Sequence, residues 1–529
     1  MGGLESSSVS RCRRCGRHGA TTAVALTLTE DPKDQAAVVI VTETGFDELG
    51  GSADPAVARA ESDAYWTAAL GRLADLASAA RQRKKKVAQA VVVIHGMGEQ
   101  VPGATVRAFV QAVAEPEERD EVHSRPDTIS PGFELRRWRL DPTATRPATD
   151  FFEGYWANEV RDTSIGQVLS WLRLLLIRRP STVAPGLRKL WWGSWLTVAL
   201  LIGGLLLIGV TDVELTEPTD LLALAVPLLL GVVDSFMVQR VGDAARYLWP
   251  HPANVVVRDR VRGKGVALLE ALHRCGRYDR IVVVGHSLGS VIAYDIVGHY
   301  WIRVHRHHGS PTDVSNQAAA ALAREVEAGD APSAAEGRPL QWEAWGEIRR
   351  NTQPWLITDL VTLGSPLAHA GMLLARSPGE LAAAIQRTEL PSCPPSPADD
   401  IWFDGSYRDR FGARHNFRYF TDQAPFAVTR WSNLYFPVRA GVMGDIVGGP
   451  LVGVFGRWIS DEPVTWNSGW WRNRTPLAHT SYWRLPKSTV PAAAEHLAGL
   501  QRALDLYRRN DLENIADAIP PEAWLAAAT

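Results

Sequence analysis

The chain has 529 residues and a mass of 58.0 kDa, with 46% hydrophobic and 22% charged residues. That composition excludes wholesale disorder, and 56 Lys+Arg against 58 Asp+Glu, a formal charge of -2, leaves no basic field for nucleic acid. A mean hydropathy of -0.10 excludes a many-pass transporter but leaves room for a few local spans.

The first ~22 residues hold Ser6-Ser7-Ser8 and Arg11-Cys12-Arg13-Arg14-Cys15 but no apolar stretch of the signal-peptide kind, and they read as a mobile tail. Cys12 and Cys15 are half of a zinc site at most. With Cys275 and Cys393 scattered, neither a metal nor a disulfide framework is expected. Residues 1–53 are taken as this tail and the first strands. An amphipathic helix is predicted from Asp54 to Arg81, with Leu70, Leu73, Leu76 and Ala80 on one face. The run Val91-Val92-Val93-Ile94 follows, as expected of a strand buried on both sides. Residues 54–170 form the first part of an α/β core.

Residues 171–250 read as a membrane-associated segment. Leu190 to Val210 carries no charge over 21 residues. At 1.5 Å per residue that is ~31 Å, about one bilayer core. Trp191, Trp192 and Trp195 stand at one end, where an aromatic belt would lie. A second apolar stretch, 221–238, is broken by Pro227 and Asp234 and completes a hairpin. Lys and Arg flank the pair on both sides, whereas Asp212, Glu214, Glu217 and Asp220 occupy the loop between. This charge bias predicts an integral membrane protein with its core on the cytoplasmic side and the lipid bilayer as a partner.

Residues 251–529 form the second part of the core. A helix is predicted over Val255 to Cys275, strands over Arg280 to Val284 and Leu356 to Leu363, and a mobile insertion, loop or helical, near 309–345. Between the first of these strands and the helix-compatible run after it stands Gly285-His286-Ser287-Leu288-Gly289, a G-x-S-x-G sequence. Such a turn holds its Ser in strained backbone geometry with the hydroxyl above the sheet edge, and glycines two residues to either side let strand and helix approach. The helix start directs amide N–H groups at the same place.

A hydroxyl needs a base to become a nucleophile, and on this motif the chain order is Ser, acid, His. His369, His415, His479 and His496 come late enough. His496 lies inside an Ala/Leu helix, while His479 follows Pro476 in a loop-like setting and is preferred as the base. Asp404, Asp422, Asp445 and Asp461 precede it. Asp445, in a Gly-rich turn beyond the strand predicted over Asn433 to Val438, is preferred as the acid, with Asp404 as the alternative. The Met97 and Leu288 amides are the expected oxyanion donors, and His95 a structural hydrogen-bonding residue.

At Val92 to Gln100, Ile281 to Tyr294 and Asp359 to Leu367, the chain resembles the lipase/esterase-like members of the α/β-hydrolase superfamily. The resemblance implies a mostly parallel sheet flanked by helices, interrupted by the membrane hairpin. It also implies hydrolysis of carboxylic esters, lipid-like acyl esters among them, through an acyl-enzyme on Ser287 with His479 and Asp445, and without a cofactor. A thioesterase or acyltransferase on the same machinery, and a non-catalytic membrane scaffold, stand as alternatives.

Overall fold

A computed structural model describes, in the main, residues 12–15, 21–31, 36–44, 87–97, 101–129, 136–160, 177–183, 191–196, 242–248, 252–305, 317–328, 333–351, 355–396, 401–408, 414–438, 444–466, 476–486 and 494–517. The chain divides into two units at Arg81 and Gln82. In the first, strands β1 (Cys12–Cys15), β2 (Thr21–Asp31) and β3 (Ala36–Thr44) form an antiparallel sheet. A strand therefore occupies Cys12 to Cys15, where the sequence suggested a tail. The alternation Thr-Ala-Val-Ala-Leu-Thr-Leu-Thr in β2 supplies the period of two that a paired strand needs.

The second unit is built on an eight-stranded sheet. Its strands are β4 (Ala88–Ile94), β5 (Ser124–Pro126), β6 (Arg136–Leu140), β7 (Ala148–Glu153), β8 (Arg280–His286), β9 (Ile357–Leu363), β10 (Arg430–Tyr435) and β11 (Ser460–Pro463). The spatial order is β11-β10-β9-β8-β4-β7-β6-β5, parallel from β11 to β7, with β6 and β5 joined antiparallel at one edge.

The middles of β4 and β8 are runs of apolar residues because both of their faces are covered. Val92 and Ile94 of β4, with Ile281 and Val283 of β8, enter one core; Val91, Val93, Val282 and Val284 enter the other. Helices α2 (Pro252–Arg274) and α3 (Leu288–Val304) bury Leu268, Leu269, Val291 and Ile292 against the first face. Helices α1 (Ala104–Val113) and α5 (Glu495–Leu504) bury Phe109, Val110, Leu500 and Leu504 against the second. This three-layer arrangement is an α/β fold.

Within the expected insertion lie the helix Gln317–Glu327, burying Ala319, Leu322, Ala323 and Val326, and α4 (Ala334–Asn351), burying Ala344, Trp345 and Ile348. The Ala, Ser and Glu content of the stretch conceals an apolar face at helical spacing. Of the predicted membrane hairpin, 221–238 lies outside the described residues, and 190–210 is described only at 191–196 and 199. Among the described residues, no helix is long and apolar enough to cross a membrane.

Strand β4 has β7 on one side and β8 on the other, so successive connections leave it in opposite directions. At such a switch point the carboxyl ends of adjacent strands open a crevice. The residues that follow β4 and β8 line it: His95 to Met97 on one side, Ser287 on the other.

Candidate active site

Ser287 stands between β8 and α3 with φ 54° and ψ -129°, a positive-φ conformation that L-residues avoid. Packing holds it there. Its amide donates to the Leu363 carbonyl of β9 at 2.9 Å, and its own carbonyl accepts from Ser290 N at 2.9 Å and from Ser290 Oγ at 2.5 Å. Two glycines are required around the bend. A Cβ on Gly289 would meet the Ile94 and His95 carbonyl oxygens at 2.4 Å, and one on Gly285 would meet the Gly289 carbonyl oxygen at 2.5 Å. The start of α3 thus lies directly on the exit of β4, which is why the spacing of small residues around the Ser is strict.

His479 sits in a 3₁₀ turn, Pro476–Thr480, where a loop was expected. Its Nε2 is 2.9 Å from Ser287 Oγ, and its Nδ1 lies 2.9 and 3.0 Å from the two Asp445 carboxylate oxygens. A carboxylate only accepts, so Nδ1 carries the proton and Nε2 presents its lone pair to the Ser287 hydroxyl.

Asp445 comes eight residues after Pro437, yet its amide donates to the Phe436 carbonyl at 3.3 Å, which places the acid just beyond the end of β10. The carboxylate is fully buried. Besides His479, it accepts from the Val447 and Gly448 amides at 2.9 and 3.0 Å and from the Tyr482 hydroxyl at 2.6 Å. Burial opposes its charge, but the His479 charge and hydrogen bonds from His479, Tyr482 and Gly448 prevail and hold its pKa at about 2. Asp404 lies elsewhere: it is exposed on the strand Trp402–Arg408 and pairs with Arg418 at 2.8 Å. Asp461 accepts from Asn433 and the Leu451 and Val452 amides, and His496 is buried in α5 against the Arg484 carbonyl.

Leu288 is the first residue of α3, so its amide has no acceptor within the helix. Opposite, a Cβ on Gly96 would sit 2.9 Å from Ser287 Cβ; the β4 exit that leads into Met97 therefore flanks the hydroxyl-bearing residue. His95 is buried and stacked on Trp156 at 5.1 Å, and its Nδ1–H donates to the Gly96 carbonyl at 2.8 Å. No family model, curated protein or solved structure matches the chain.

Three further residues complete the arrangement. Tyr482, three positions after His479 and just past its turn, supports Asp445; burial and the Asp445 charge push its phenol pKa far up, so it remains a donor. That i,i+3 spacing is a signal present in the sequence. His286 donates from Nε2 to the His479 carbonyl at 2.8 Å and meets the Trp483 ring edge-on at 4.8 Å. Burial and the nearby His479 charge lower the His286 pKa to about 3. The Ser365 hydroxyl donates to Ser290 Oγ at 2.6 Å, since the Ser290 proton is committed to the Ser287 carbonyl, and this ties the turn after β9 to α3. Among the described residues no cluster of His, Cys, Asp or Glu is arranged to hold a metal ion.

Burial alone makes His95 acid-sensitive. Its pKa is lowered to about 4, so between pH 6.5 and 4 the unfolded chain binds a proton that the folded chain refuses. The sign follows: stability is greatest above pH 6.5 and falls as pH drops, by about 1.4 kcal/mol per pH unit from this group. Urea unfolding at pH 7, 6 and 5 should show the decline, with a shallower slope in His95→Gln. An equal slope in the two proteins would remove His95 from the account.

Proposed function

We propose that the chain is a serine hydrolase of α/β-hydrolase type that cleaves carboxylic esters through an acyl-enzyme. The observation that carries this reading is the relay itself: a hydroxyl on a strained turn, 2.9 Å from an imidazole whose other nitrogen is held by a buried carboxylate. In this reading His479 Nε2 takes the Ser287 proton as Oγ attacks the ester carbonyl. The Leu288 and Met97 amides receive the oxyanion, each worth about 3 kcal/mol. His479 then returns the proton to the leaving alcohol, and a water activated by the same imidazole releases the acid. Asp445 holds the tautomer throughout.

The lipid-like substrate class and the membrane hairpin belong to the same proposal. Their support is the uncharged run 190–210 with its flanking arginines, and the exposure of Trp192 and Leu196 at 58% and 61%.

The direct test is covalent labelling of the full chain by a fluorophosphonate, lost in Ser287→Ala. An unlabelled native protein would end the hydrolase reading. Rates on p-nitrophenyl esters of increasing acyl length, with and without detergent micelles, test the lipid half: a preference for short soluble esters, indifferent to micelles, would refute it. If the bond from His286 to the His479 carbonyl positions the base, His286→Phe keeps the ring packing but should lower kcat by about 10-fold or more with KM little changed. Gln, which can present an N–H near the same place, should recover part of the loss. A kcat in His286→Phe equal to that of the native protein would show the bond to be idle.

A further inference from the structure

A second cluster lies at the opposite end of the sheet. Arg280 and Arg430 begin the parallel strands β8 and β10, whereas Ser287 follows the end of β8. Here a cavity of about 500 Å³ opens between α4, the start of β10 and the end of α5, lined by Arg338, Trp342, Arg430, Arg502, Asp505 and Arg508 among others. Its volume is that of a small-molecule site.

The wall is rich in donors and poor in acceptors. Four guanidiniums face it, against the two carboxylates of Asp505 and Glu343. Asp505 is already engaged by Arg430 at 3.1 Å and by Arg508. Glu343 is exposed. Arg502 pairs with Glu462, and Arg508 also with Asp511 at 2.9 Å. Arg338 donates to the Trp431 carbonyl at 3.1 Å, and among the described residues no carboxylate pairs with it. Burial and the neighbouring Arg430 charge work against its protonated form and outweigh the Asp359 and Asp505 charges that favour it. Arg430 Nε is buried without a hydrogen-bond partner. The Arg508 and Arg430 guanidiniums lie over the Trp342 ring at 4.4 and 4.9 Å, and cation–π attraction helps to hold these donors in place.

A half-buried guanidinium beside another cation, with the nearby Asp359 and Asp505 carboxylates engaged by other arginines, is incompletely compensated, and the planar fork of Arg matches the oxygens of phosphates and carboxylates. We propose that this cavity binds a small organic oxyanion, a phosphate or carboxylate compound, with Arg338 as its principal charge partner. The site is separate from Ser287 and does not depend on the hydrolase reading.

Isothermal titration of the full chain with pyrophosphate and with citrate, at ionic strength matched by NaCl, tests the idea. Saturable binding of either is expected; pyrophosphate alone would indicate a phosphate ligand, citrate alone a carboxylate. Arg338→Gln, which strands no carboxylate, should weaken binding at least about 10-fold. Arg502→Gln alters an exposed side chain and provides a second variant should Arg338→Gln fail to fold; it should weaken binding about 3-fold or more. No saturable binding of either probe, or affinities unchanged in the folded variants, would overturn the proposal.

Discussion

His479→Ala is expected to reduce kcat/KM for ester cleavage by about 10,000-fold, the scale on which a hydroxyl nucleophile loses its base. The Ser287 hydroxyl has one imidazole at 2.9 Å to take its proton, and that imidazole is oriented by a carboxylate with three other hydrogen bonds to hold it. Asp445→Asn tests the orientation separately. An amide nitrogen facing Nδ1 would favour the opposite tautomer, placing a proton on Nε2 where the Ser287 hydroxyl needs an acceptor, and a loss on the order of 1,000-fold follows. Steady-state rates on a p-nitrophenyl ester, with circular dichroism to verify folding, measure both. Should His479→Ala retain activity within tenfold of the native protein, the imidazole is not the base and the mechanism fails.

The second large effect concerns stability. Asp359 is fully buried on β9 and bridges Arg280 at 2.6 Å and Arg430 at 2.8 Å, with Thr358 Oγ1 donating to it at 2.6 Å. Burial alone would favour the neutral acid, but the Arg430 and Arg280 charges prevail and keep its pKa well below the usual carboxylate range. Asp359→Ala leaves two buried guanidiniums without their shared anion, and a loss of about 3–5 kcal/mol is expected in urea unfolding. Asp404→Ala is the control. It also removes the partner of an arginine, Arg418, but across two paired strands where the Arg418 and Asp404 side chains are 50% and 61% exposed, so less than about 1 kcal/mol should be lost. Equal losses in the two variants would show that burial does not govern these pairs.

The elements read most readily from the chain were those whose local chemistry admits few alternatives. Val91 to Ile94 and Ile281 to Val284 are runs of β-branched residues because both faces of β4 and β8 are covered there. The G-x-S-x-G bend is legible because carbonyl oxygens approach within 2.4–2.5 Å of where Cβ atoms on Gly289 and Gly285 would stand, which restricts both positions to glycine. Other parts were concealed. In β6, Arg137 and Arg139 disguise a strand, since their pairing with Asp150 on β7 is invisible along the sequence. Near 309–345, composition leaves a mobile loop and a helical insertion both open, and the packing of the two helices is decided by the apolar faces they bury.

The sequence by itself determined a few things: an α/β chain, a Ser on a glycine-bounded turn, late His and Asp residues of the right chemical type, and an uncharged apolar run. Which acid meets which His was decided by the tertiary structure, because the Asp445 amide bonds the Phe436 carbonyl and so stands at the end of β10. The contact between Ser287 and His479 spans 192 residues, and the ring of arginines around Trp342 draws on β8, β10, α4 and the chain following α5. Local periodicity reports which face of an element is buried. It carries no record of what lies against that face, and it is this apposition of distant segments that places a base beside a hydroxyl and arginines around a cavity.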